Sequence, residues 1–170
     1  MVDELPLDAS GPAPRLPTLS LLIGRVTTIK LSYWAVLTFS EAALRFVEPE
    51  APFGVRFRHS LALAVTATVL AVLWARWSAR VPDRLAGPLT RSVPTVLTTF
   101  AVSAVVASPA GLPLLLLERQ RSLEGCAAGI TCHLEALVLW AVLFAAGTFL
   151  VPLAFALSLP AAPRATVGPR

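Results

Sequence analysis

The chain has 170 residues, 56% of them hydrophobic and only 14% charged, with a mean hydropathy of +0.74. Soluble domains carry about 25% charged residues, so this composition argues against an ordinary water-soluble domain and predicts an all-α polytopic membrane protein, a four-transmembrane-helix bundle with short loops. The net charge of +4 raises nucleic-acid binding, but the basic residues flank apolar segments, where topology determinants belong. No nucleic-acid partner is expected.

Residues 1–17 open with Asp3, Glu4 and Asp8 and contain four prolines. They lack the basic start and apolar run of a secretory signal, and proline at this density predicts a disordered N-terminal tail. Residues 18–160 then read as a single four-span membrane domain, and residues 161–170 as a disordered C-terminal tail.

The first span is expected at about 26–47, with Lys30 and Arg45 snorkelling to opposite surfaces. The apolar run 16–24 is either an interfacial lead-in or an extension of the same helix. The second span, at about 60–78, ends in Trp74, Arg76 and Trp77, an aromatic and cationic belt. The third, at about 92–117, carries Pro109, Gly111 and Pro113 and should kink or end near Pro109. The fourth, at about 134–159, has Pro152 placed to bend it. Segments 92–117 and 136–162 contain no charged residue, and each exceeds the roughly 20 residues that a bilayer crossing needs. Short connections make consecutive helices antiparallel neighbours.

If the N-terminus is cytoplasmic, that side holds nine basic residues against five on the other, which predicts both termini inside, in a bacterial inner membrane. Lys30 is the only lysine, a bias attributed to a GC-rich bacterial genome. Cys126 and Cys132 fall in the outer loop with C-x5-C spacing, suited to a structural disulfide. That spacing departs from the C-x-x-C of thiol-exchange centres, although His133 beside Cys132 would favour a thiolate.

Among polar residues, Glu41 and Arg45 are four apart on one helix face and form an intramembrane ion-pair candidate. Glu41 is either a proton or cation relay or the internal partner of Arg45. His59 and His133 precede spans two and four and are weak metal or haem candidates, more simply read as solvated capping groups. Small residues recur at Ala67, Ala71 and Ala75, and at Ala104, Ala107, Ser108 and Gly111, a pattern that lets helices approach closely inside the protein or against a partner subunit.

Phosphate-loop, zinc-protease and hydrolase-elbow motifs are missing from the sequence. No motif identifies a family, and no cofactor is expected. The reading is a non-catalytic accessory, assembly or anchoring subunit, with the bilayer and a membrane protein or further copies of itself as partners. A small-molecule transporter acting as a homo-oligomer is the first alternative, and a membrane thiol-disulfide redox protein the second.

Overall fold

The computed structural model describes residues 16–48, 50–84, 87–113, 116–117 and 130–161. Among these the chain is all-helical, with two isolated bridges, Asp83 to Gly87 and Arg91 to Ala161, in place of any sheet. Helix α1 covers Leu16–Val47, α2 Phe53–Arg80 and α3 Val93–Ala110. The last helical rod is α4 (Ile130–Ala145), a π-helical turn (Ala146–Leu150) and α5 (Val151–Ser158).

The apolar run at the start of α1 is an extension of the helix. Pro17 stands at its second position, where a proline costs little because the first-turn amides have no helical acceptor. α2 starts seven residues earlier than the sequence predicts, so His59 lies within it. α3 ends at Ala110, one residue past Pro109, whose missing amide leaves the Val105 carbonyl without its helical donor. The bend expected at Pro152 takes the form of the π-helical turn: Val151 donates its N–H to the Ala146 carbonyl, and Pro152 has none to offer the turn before it.

α1 packs on both α2 and α3, α2 packs on α5, and α3 meets the π-helical turn and α5. α1 and α2 form an antiparallel hairpin. Tyr33 and Thr68 hydroxyls stand 3.1 Å apart, and Glu41, Arg45, Arg56 and Ser60 share one cavity. The pairs 33 with 68, 41 with 60 and 45 with 56 are all centred between Glu50 and Ala51, as expected when two helices with the same rise fold back across a short connection.

The two ends of the bundle are tied differently. At one end Arg25 donates through Nη1 to the carbonyls of Ser78 and Val81, both at 2.6 Å, closing the exposed C-terminus of α2. There too the Arg91 amide donates to Pro160 O at 2.8 Å, joining the start of α3 to the end of α5. The Asp83–Gly87 turn between α2 and α3 needs a left-handed residue, supplied by Gly87 at φ +74°. At the opposite end Arg45 donates through Nη2 to Leu117 O, and His59 Nδ1 meets Glu48 Oε2 at 3.1 Å. Twenty residues separate Arg25 from Arg45, about 30 Å along a helix.

Along α2 the distribution of side chains is inverted relative to a helix of a water-soluble bundle. The buried face of α2 is Ala64, Ala67, Ala71, Ala75 and Ala79, while Leu63, Val65, Val69, Leu70 and Leu73 point outward. Two helical stretches are long and apolar enough to cross a membrane, Gly54–Arg80 and Leu137–Ser158, and only 28% and 33% of their most apolar windows are buried. Val93–Val106 is apolar but shorter. α1 carries Arg25, Lys30, Glu41 and Arg45, which breaks its apolar character. The alanine stripe of α2 therefore serves contacts within the chain and is not a free docking face. In and just past α3 the pattern splits: Ala104 points outward, Gly111, one residue beyond the helix, is buried, and the side chains of Ala107 and Ser108 lie outside the described residues.

Candidate functional site

α1 supplies the inner polar residues because its buried stripe is long and regular. Leu22, Val26, Ile29, Lys30, Tyr33, Trp34, Leu37 and Glu41 follow helical spacing and all face the bundle. The sequence expectation that Lys30 snorkels outward is wrong. Its side chain is 1% exposed and turned inward, five residues or about 7.5 Å further into the bundle than Arg25. Arg25 occupies the boundary position that the sequence reading gave to Lys30, and it does so by closing α2.

Besides Lys30, α1, α3 and the π-helical turn each contribute buried polar groups. Tyr33 donates to Leu143 O at 3.3 Å and touches Thr68. Trp34 stacks edge-on against Tyr33, with ring centroids 5.3 Å apart. Both rings press on Gly147 in the π-helical turn: a Cβ there would stand 2.8 Å from Tyr33 Cε1 and 3.2 Å from Trp34 Cζ2. Glycine at 147 is thus what lets the two aromatic rings reach the turn. From α3, Thr99 donates to Thr95 O at 2.8 Å, the usual way a hydroxyl satisfies itself within a helix. Lys30 Nζ, Trp34 Nε1, Ser103 Oγ and Thr148 Oγ1 are buried and have no hydrogen-bond partner. Lys30, with Val26, Ile29, Val151, Pro152 and Phe155, lines a cavity of about 10 Å³.

The second cluster contains the predicted pair. Glu41, 6% exposed, and Arg45 face the same cavity of about 10 Å³, joined by Leu44 from α1 and by Arg56 and Ser60 from α2. Sequence reasoning named Glu41 and Arg45 but missed Arg56 and Ser60, although the hairpin symmetry about the 50–51 connection would have pointed to both. The lining of this cavity thus brings two guanidiniums to one carboxylate.

The two histidines do not come together. His59 is exposed and engaged by Glu48. His133 and Cys132 lie in the first turn of α4, and their side chains, together with the whole of Cys126, lie outside the described residues. Among the described residues no three His, Cys, Asp or Glu side chains form a metal-binding group.

Comparison with protein families, with characterised proteins and with solved structures finds no match to this chain.

Proposed function

We propose that this is a small four-span integral membrane protein, a non-catalytic accessory or anchoring subunit that acts through helix packing, with both termini on the cytoplasmic side of a bacterial inner membrane. The observation that carries the membrane reading is the inverted side-chain distribution. Along α2 alanine faces inward while leucine and valine face outward, and the last rod also leaves Leu137, Val138, Val142, Phe149, Leu153 and Leu157 exposed. Water as solvent would penalise that arrangement. Lipid does not, because helix association there relies on close contact between small residues. The Arg25 and Arg45 levels, about 30 Å apart, match the hydrocarbon thickness.

The accessory role rests on the outward apolar faces, whose side chains are satisfied equally by acyl chains or by helices of a membrane partner. Extraction separates the two parts of the proposal. Retention in the membrane pellet after alkaline carbonate supports the spanning helices, and release into the supernatant refutes them. Mild-detergent purification should then bring down a second membrane protein in fixed ratio. A monodisperse monomer with no partner refutes the accessory role.

One observation favours a second reading, a small-molecule transporter built from several copies. Glu41 is buried beside a cavity with Arg45 and Arg56, the kind of intramembrane charge that carries coupled ions. On that reading Glu41→Gln abolishes flux in reconstituted vesicles at normal expression. Unchanged flux removes it.

A further inference from the structure

The outward face of α2 changes its chemistry in the last two turns. Leucine and valine cover it up to Leu73, and from there Trp74, Arg76, Trp77 and Arg80 take over. Trp77 is 65% exposed, and Arg76 and Arg80 are exposed as well. Leu70, Leu73, Trp77 and Arg80 follow helical spacing and keep one line along the helix, on the side away from Ala71, Ala75 and Ala79. Arg76 lies one turn before Arg80 and beside that line.

Two like charges one turn apart destabilise a helix unless an opposite charge joins them. Arg25 brings a third guanidinium to the same helix end through its bonds to the Ser78 and Val81 carbonyls. Among the described residues this end of the bundle holds Arg25, Arg76, Arg80, Arg84 and Arg91, with Asp83 as its carboxylate. At the opposite end Arg45, Arg56 and Arg58 are matched by Glu41, Glu48 and Glu50. The charge excess on α2 therefore calls for an anion from outside the chain. The line of Leu73 and Leu70 below it calls for hydrocarbon on the same ligand. From Arg80 to Leu70 is ten residues, about 15 Å along the helix, or about half of the hydrocarbon thickness of a bilayer.

We propose that this face of α2 binds an anionic phospholipid. Its phosphate lies against Arg76 and Arg80, Trp77 packs at the boundary between headgroup and chain, and one acyl chain follows Leu73 and Leu70 into the leaflet. A zwitterionic headgroup carries its own cation into the same place, so the two guanidiniums select a lipid with net negative charge. The proposal rests on the membrane reading above and is independent of the accessory role.

The test uses the full chain reconstituted in vesicles of brominated phosphatidylcholine, whose bromines quench tryptophan in contact with lipid. Unbrominated phosphatidylglycerol then replaces it stepwise, and the Trp77 signal is taken as the difference between the wild type and Trp77→Phe. A basic side chain close to anionic lipid is worth about a factor of five, so Trp77 should recover half of its fluorescence by the time about one lipid in six is anionic. Random mixing gives half recovery only at equal amounts of the two lipids. Arg76→Gln and Arg80→Gln should each move the half-point towards equal amounts. Arg91→Gln removes the same charge at the same end, but at the start of α3, whose packing partners are α1 and the last rod, and should leave the half-point in place. Half recovery of the wild type at equal amounts overturns the proposal. So does an Arg91→Gln shift as large as that of Arg80→Gln, which means a diffuse field with no site on α2. A Trp77 that brominated lipid never quenches shows that a second copy or another protein covers this face, and overturns it too. Carbonate extraction reads the spanning helices separately: a retained chain without lipid preference refutes the lipid site alone, and a released chain refutes the membrane reading.

Discussion

Gly147→Ala offers the sharpest test of how the π-helical turn meets α1. The added methyl carbon would stand 2.8 Å from Tyr33 Cε1, 3.2 Å from Trp34 Cζ2 and 3.3 Å from Tyr33 Cδ1. Carbon atoms normally rest about 3.5–4.0 Å apart, so the closest contact is short by about 0.7–1.2 Å. Tyr33 cannot easily yield. It is 2% exposed, and its hydroxyl is held between Thr68 and the Leu143 carbonyl. Overpacking of this kind costs about 1–3 kcal/mol. Against it stands the gain of about 1 kcal/mol when alanine replaces glycine inside a helix. The net expectation is a loss of roughly 0–2 kcal/mol.

The control is Gly24→Ala in α1, where nothing lies within 4 Å of the added carbon. It carries the same propensity gain without the clash, so the difference between the two variants isolates the contact. That difference should be about 1–3 kcal/mol, or from a few to about 10 °C in unfolding temperature for a chain of this size. Unfolding in mild detergent, by heat or by titration with sodium dodecyl sulfate, measures both. Tyr33→Phe releases the hydroxyl anchor and lets the ring move, so Gly147→Ala should be milder in that background by at least about 0.5 kcal/mol. A Gly147→Ala protein as stable as Gly24→Ala would show that the rings do not bear on the turn, and the geometry around Lys30 would fail with it.

Further outcomes follow from the same packing. Arg25→Ala strips the end of α2 of two carbonyl partners and should cost about 1–2 kcal/mol after allowance for partial exposure, with faster amide exchange confined to the last turn of α2. Ala75→Leu forces a large side chain into a fully buried position of α2 and should cost about 1–3 kcal/mol. Val69→Ala, on the outward face of the same helix, should change stability by less than about 0.5 kcal/mol. Equal effects of Ala75→Leu and Val69→Ala in detergent melts would contradict the inverted packing. Thr68→Val removes one hydroxyl neighbour of Tyr33 and should cost about 1 kcal/mol, read in the same melts.

The helices were legible in the sequence because their signal is long and redundant. Charge-free runs flanked by arginine and tryptophan allow few other readings, and Pro109 and Pro152 mark where α3 ends and where the last rod changes its hydrogen-bond register. The boundaries were less legible. A start that alternates apolar and charged residues, as Val55, Arg56, Phe57 and Arg58 do, carries no helical hydrophobic pattern, so the start of α2 was placed too late and His59 appeared to precede a helix in which it sits.

Lys30 was misread because hydropathy along a line ignores angular position. A lysine a few residues inside an apolar run looks like a boundary marker, and snorkelling is the ordinary fate of such a residue. Its phase says otherwise: Val26, Lys30, Tyr33, Trp34 and Leu37 share one helical face, and residues on the face of two aromatic anchors go where those anchors go. The same phase carries Glu41, three turns further along. When water surrounds a helix, polar residues mark its outer face. When lipid does, they mark its inner face, and the face of α1 that holds both Lys30 and Glu41 is the face on which the helix must pack. Along α1 the buried charges and the aromatic anchors therefore mark one and the same face.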